Sequence, residues 1–181
     1  MRTTVYQCFH WVGYHLTTCL LQEGYEVIGI DPMYTPLSEH LYLFVGRNSN
    51  FQHFYYMEDK EKHVQPGDKE RLVNIQGNLL VIEILSEEAS VDHIELPALF
   101  GEWMDLEEHS ITSKNELRTW IEEHNALYIG DFLEEIIPVV LNHQEKNYLN
   151  ETGNASLLEK KIENTWKSFL ELKALTSNQL Y

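Results

Sequence analysis

The chain has 181 residues, of which 43% are hydrophobic and 12% aromatic, and its 29 acidic against 13 basic side chains give a formal net charge of −16. A chain of this size buries a real core, and the composition excludes wholesale disorder. The negative charge argues against nucleic acid as a partner, because that binding depends on neutralising phosphates with Lys and Arg.

The first β-prone run is Thr4 to Phe9. From Gly13 to Glu23 the apolar positions Leu16, Cys19 and Leu20 keep helical spacing, and Gly24 sits where a helix C-cap belongs. Tyr25 to Asp31 reads as a strand ending on an acid, with Pro32 as punctuation. Strand, helix, glycine, strand and acid in residues 3–32 form a β-α-β signature. It predicts an α/β chain: a Rossmann-like three-layer fold with a mostly parallel sheet. Further on, His53 to Met57 reads as a third strand, and Glu58 to Arg71, with Pro66-Gly67, as an exposed loop. Leu79 to Leu85 (LLVIEIL) reads as a buried central strand, and His93 to Phe100 as another that Gly101 stops.

Ser113 and Glu116 make a capping box for a helix carrying Leu117, Trp120 and Ile121. Ala126 to Ile129 is a short strand, and Asp131 is placed to cap a helix that Pro138 kinks or shortens. A second capping box, Ser156 with Glu159, opens an amphipathic helix whose face carries Leu158, Ile162, Trp166, Phe169 and Leu172 or Lys173. That stripe reads as core packing, with a groove for a partner helix as the other reading. The expected organisation is one domain, with a sheet segment over 1–100 and C-terminal helices over 101–181 packing on it.

Charge is unevenly placed. Residues 83–135 hold 15 acids against Lys114 and Arg118 alone, a net of −13. This segment reads as a solvated acidic face that aids solubility, or as a docking surface for a basic partner. No apolar run approaches the ~18 residues of a membrane span. The N-terminus does not read as a signal peptide, since Arg2 precedes polar Thr3 and Thr4, and His10 and His15 stand where an apolar core would be needed. A cytoplasmic protein is expected, with Cys8 and Cys19 as thiols and the sequon Asn154-Ala155-Ser156 unused.

Three segments in order resemble the extended short-chain dehydrogenase/reductases of the epimerase/dehydratase type. Residues 5–31 (VYQCFHWVGYHLTTCLLQEGYEVIGID) are similar to the family's Gly-rich β-α-β turn, matching it at Val12-Gly13, His15-Leu16, Leu20, Glu23-Gly24, Val27 and Asp31. Residues 94–104 (IELPALFGEWM) are similar to its R-x-P-x-x-V-Y-G-P segment, and residues 126–137 (ALYIGDFLEEII) to its V-D-D segment. The resemblance implies a dinucleotide turn at Gln7, His10 and Gly13, with Asp31 facing an adenosine ribose hydroxyl and NAD(P) as cofactor.

Departures from the pattern are as informative as the matches. Only Gly13 of the three fingerprint glycines survives, in a position that serves close helix–strand packing. Gln7 and His10 put side chains where backbone and phosphate would touch, and lack glycine's access to positive φ. His10 reads as a loop histidine, or as an imidazolium reaching a phosphate. The family's catalytic Tyr-x-x-x-Lys pair belongs on a long helix for which the chain leaves no room after LLVIEIL. The one literal match, Tyr56 with Lys60, falls at the end of the third strand, where the two side chains would not share a face. Glu95 and Glu102 replace the family's Arg and Pro. Cys8, His10 and His15 lack a fourth ligand at zinc-like spacing, so no metal site is expected.

The sequence therefore predicts a reduced, non-catalytic relative of this family, without a cofactor. Its role is protein interaction, through segment 83–135 or the C-terminal helix, or weak nucleotide sensing. The alternative is an NAD(P)-dependent oxidoreductase or epimerase acting on a nucleotide sugar, with a site rebuilt around Tyr56 and Lys60 or around His10 and Trp11. A monomer is expected, because the helices through which the family dimerises have no counterpart.

Overall fold

A computed structural model describes residues 2–65, 70–86, 89–141 and 155–177. The chain is α/β and divides into two compact units, Met1–Leu96 and Pro97–Tyr181. The first unit runs β1 (Arg2–Tyr6), α1 (Trp11–Gln22), β2 (Val27–Ile30), α2 (Pro36–Val45), β3 (Phe51–Phe54), α3 (Met57–His63), β4 (Glu70–Gln76), β5 (Leu79–Leu85) and β6 (Ser90–Glu95). These strands form a six-stranded sheet in the order β3-β2-β1-β4-β5-β6. Its first four strands are parallel, and β5 runs antiparallel to both of its neighbours.

From β1 the chain steps outward to β3 through α1 and α2. Helix α3 then carries it back past β1 to β4, which makes a Rossmann-like topology with its switch point between β1 and β4. The register puts Thr3, Val27 and Phe51 on one face of the sheet, and Thr4 on the other. Tyr42 of α2 lies with Phe51, whereas Lys60 of α3 reaches the Glu70 carboxylate that Thr4 also contacts, so helices cover both faces. Every residue of β2 is buried, as a parallel strand covered on both sides requires.

Helix α1 begins two residues before the expected start and ends as expected at Gly24, whose φ of +82° closes it. The segment read as an exposed loop is instead α3 followed by the start of β4, while Pro66-Gly67 lies outside the described residues. The third strand is Phe51–Phe54 rather than His53 to Met57, because Met57 already opens α3. Helix α2 was not foreseen; Thr35 caps it reciprocally with Ser38, and Pro36 occupies its first turn. The LLVIEIL strand has its expected bounds but lies second from the sheet edge, in an antiparallel setting. The strand expected over His93 to Phe100 is broken at Leu96-Pro97 into β6 and β7, which belong to different units.

The second unit contains β7 (Leu99–Phe100), α4 (Lys114–His124), β8 (Leu127–Tyr128), α5 (Ile129–Val140) and α6 (Ala155–Ser177). Strands β7 and β8 pair in parallel, so the second and third segments of the family resemblance lie side by side. Gly101 permits this, because a Cβ there would strike the Ile129 side chain. Ser113 caps α4 as expected, and the Glu116 carboxylate folds back onto the Thr112 N–H at 2.6 Å. Asp131 is not a cap: Tyr128 holds that position, and Asp131 lies in the first turn of α5, paired with Lys161. Pro138 is accommodated inside α5. Ser156 is already within α6, so the second capping box does not form there.

Ile162, Thr165, Ser168 and Phe169 of α6 are buried, and Lys114–Glu163, Arg118–Glu159 and Lys173–Glu107 pairs tie the helix to the rest of the unit. Of its expected stripe, Ile162 and Phe169 are core residues, while Leu158, Trp166 and Leu172 are half-buried. Gly13 is the tightest test of the first unit, since a Cβ there would collide with the Gln7 carbonyl oxygen, a backbone atom that cannot swing aside. Gly13→Ala is expected to destabilise the chain by roughly 1–3 kcal/mol, read as a lower urea midpoint with an unchanged slope.

Candidate functional site

In a Rossmann-like sheet, ligands gather outside the carboxyl ends of the strands at the switch point. Here that region is the turn from Gln7 to His10, between β1 and α1. Gln7 adopts φ +50°, so the positive φ that its side chain was expected to deny it is in fact taken. This conformation costs a non-glycine residue about 1–2 kcal/mol, and the turn repays part of it with a 2.9 Å bond from the His10 N–H to the Gln7 carbonyl. His10 itself is extended, at φ −65° and ψ 143°, and needs no glycine; its side chain is exposed and caps nothing.

Asp31, at the end of β2, is 8% exposed, and its carboxylate is committed inside the protein. One oxygen accepts the Phe9 N–H at 3.1 Å and the other the Met33 N–H at 2.8 Å. Its backbone carbonyl meets His53 Nε2 at 2.8 Å. The acid thus ties the ends of β1, β2 and β3 together. Of the turn's own donors, the Phe9 N–H is spent on Asp31 and the His10 N–H on Gln7.

The Phe9 ring is buried among Tyr42, Phe51 and His53, with centroids 6.0, 6.2 and 5.3 Å away. Cys8 is fully buried, and burial together with the Asp31 charge pushes its thiol far above the ordinary range, so it stays protonated. Among the described residues, no group of three or more His, Cys, Asp or Glu side chains is arranged to hold a metal ion.

Tyr56 and Lys60 do not meet. Tyr56 N-caps α3, and its hydroxyl pairs with that of Tyr34 at 2.5 Å on the exposed surface. The Lys60 ammonium is buried against the Glu70 carboxylate, which also accepts the Thr4 hydroxyl at 2.7 Å. The separation was expected from an extended segment; the structure produces it from a helix whose lysine points into the sheet. Glu95 is exposed on β6. Glu102 accepts the Tyr128 hydroxyl through both oxygens, at 2.8 and 2.7 Å, and burial together with that carboxylate holds the phenol well above its ordinary pKa.

Sequence reasoning missed the aromatic side chains around β3. Met33, Tyr42, Gly46, Phe51, Gln52, His53 and Tyr55 line a cleft of about 400 Å³. Their spacing, split between a loop, a helix and a strand, carries no periodic signal. In the second unit Asp105, Glu108, Glu122, Glu123, Glu134 and Glu135 are exposed, so the acidic segment presents its charge to solvent.

No protein-family model matches the chain, and no curated protein is significantly similar to it.

The geometry at Asp31 and His53 can be tested through stability. Asp31→Ala strands the buried Phe9 N–H and is expected to cost about 1–3 kcal/mol, with Asp31→Asn milder; an Asp31 that served only a ligand would leave the urea midpoint unchanged. His53 has its pKa lowered from the ordinary 6.5 by burial, against the opposing pull of Asp31. As pH falls below that value the unfolded chain takes up a proton that the folded chain resists, so stability present above about pH 6.5 is lost on acidification. His53→Gln is expected to flatten this part of the decline in urea midpoint between about pH 7.5 and 5.

Proposed function

We propose that this chain is a non-catalytic, Rossmann-like binding protein, a reduced relative of the extended short-chain dehydrogenase/reductases, that engages a basic protein partner through the acidic surface of its second unit. The observation that carries the non-catalytic reading is the commitment of both Asp31 carboxylate oxygens to the Phe9 and Met33 N–H groups. With Asp31 only 8% exposed and both oxygens turned to backbone donors, little of the carboxylate is open to a ribose hydroxyl, and a pyrophosphate would meet a turn whose Phe9 and His10 N–H groups are already engaged. The separate engagements of Tyr56 with Tyr34 and of Lys60 with Glu70 support the same reading, because a phenol needs the neighbouring ammonium to move a proton near neutral pH.

The choice of the acidic surface over the C-terminal helix rests on packing. Ile162 and Phe169 of the α6 face are buried within its own unit and Leu158, Trp166 and Leu172 half-buried, whereas Glu122, Glu123, Glu134 and Glu135 are exposed. Charges of one sign on a surface steer oppositely charged partners, and the attraction fades beyond a Debye length of about 8 Å in physiological salt.

Calorimetric titration with NAD, NADP and UDP-glucose tests the first half; no saturable binding is expected up to about 1 mM. Micromolar affinity, or turnover of a nucleotide sugar that Tyr56→Phe abolishes, would overturn it. For the second half, association with a high-pI partner is expected to weaken steeply as salt rises, and to be lost on combining Glu122→Lys, Glu123→Lys, Glu134→Lys and Glu135→Lys. Salt-insensitive association would move the contact to the exposed Leu157 and Leu170 of α6.

A further inference from the structure

Strand β3 is one edge of the sheet, and Tyr42 and Gly46 of the second half of α2 lie beside it. Between them lies the cleft of about 400 Å³ that Met33, Tyr42, Phe51, Gln52, His53 and Tyr55 line. Its volume falls in the range of roughly 300–1,000 Å³ typical of small-molecule sites. Gly46 shapes one wall: a Cβ there would come within 2.6 Å of the Tyr42 ring, so the bare α2 C-cap lets that ring lie against the backbone. The rings form a connected wall, with centroids 5.6 Å apart for Tyr42 and His53 and 5.1 Å for His53 and Tyr55.

The polar side chains in this wall are uncharged. Among the described residues, no Lys, Arg, Asp or Glu side chain lines the cleft. Burial keeps the His53 imidazole neutral, and its Nε2 faces the Asp31 carbonyl, an acceptor, at 2.8 Å. Nε2 therefore carries the ring proton and donates it, which leaves Nδ1 as a hydrogen-bond acceptor. A phosphate or carboxylate would find no cation in this lining, and the chain's formal charge of −16 repels anions at longer range.

We propose that the β3-edge cleft is a binding site for an uncharged, planar aromatic small molecule that carries an N–H or O–H donor. Aromatic faces and the Met33 thioether hold the ring, and His53 selects the donor. The site lies in the first unit and stands independently of the acidic surface in the second, so each can fail without the other.

The test is a titration of the full-length chain with indole, phenol and adenine, alongside toluene, indole-3-carboxylate and AMP, monitored by amide chemical shifts. The expected result is saturable binding of at least one neutral donor-bearing ring at roughly millimolar affinity or tighter, with shifts centred on Gly46, Gln52 and Tyr55. Toluene and the anionic analogues are expected to bind about tenfold or more weakly. Tyr55→Ala removes a ring that is 53% exposed, so the fold survives while binding falls. Gly46→Ala, which pushes on the Tyr42 ring, is expected to weaken binding as well. Four results would overturn the site: no binding by any neutral probe, anions binding as tightly as neutral rings, shifts centred elsewhere, or binding unaffected in a folded Tyr55→Ala.

Discussion

A carboxylate taken out of water is costly unless hydrogen-bond donors replace its solvation. At Asp31 the donors are backbone N–H groups of Phe9 and Met33, one from the turn after β1 and one from the loop after β2. Because β3 is also tied to this residue, through His53 and the Asp31 carbonyl, three strand ends are fixed by a single side chain and its own backbone. Holding the Phe9 N–H fixes the course of the turn, and that course puts the Phe9 ring among Tyr42, Phe51 and His53. The aromatic wall of the β3-edge cleft thus depends on an acid that does not line it.

Charge burial at the crossover into β4 obeys a different rule. Glu70 and Arg71 are consecutive in a strand, so they point to opposite faces, and both are buried. Glu70 finds Lys60 and Thr4 on its side. Arg71 donates to the Thr3 hydroxyl, 3.4 Å from Nη1, and lies within electrostatic reach of Tyr25, while its Nε and Nη2 have no hydrogen-bond partner among the described residues. The pair of charges makes the start of β4 read as surface loop, and the charged run of α3 before it strengthens that impression. Neither Lys60 nor Glu70 looks like a core residue until the helix brings them together, because the apolar pattern that marks a buried face counts each of them as solvent-facing.

Legibility in the sequence tracked how far each element's burial is expressed in its own residues. The first β-α-β unit and LLVIEIL could be read because their apolar positions and closing glycines are local. Helix α2 could not, since Leu43 and Phe44 are 72% and 58% exposed and blur the stripe that would announce it. Of the candidate site, Gly13 was legible in its packing role, because the need for a bare Cα there comes from the turn's topology. Asp31 was legible as an acid at a strand end, but the direction its carboxylate takes depends on the Phe9 and Met33 N–H groups, and no spacing rule encodes that. The cleft around β3 was invisible for the same reason: its residues converge only through tertiary structure.

The departures from the family pattern are built into the structure. Gln7 stands where the pattern has a glycine and adopts the positive φ, bonded to the His10 N–H. Glu102 stands where the pattern has a proline and accepts the Tyr128 hydroxyl, while Lys161 sits 4.9 Å above that ring and pairs with Asp131. At these positions the replacing side chains, or the backbone they carry, make bonds that the fold uses. Glu102 and Tyr128 bind together β7 and β8, the two strands formed by the second and third resembling segments. The residues that depart from the pattern thus carry bonds on which the local backbone depends, at the first turn as between β7 and β8.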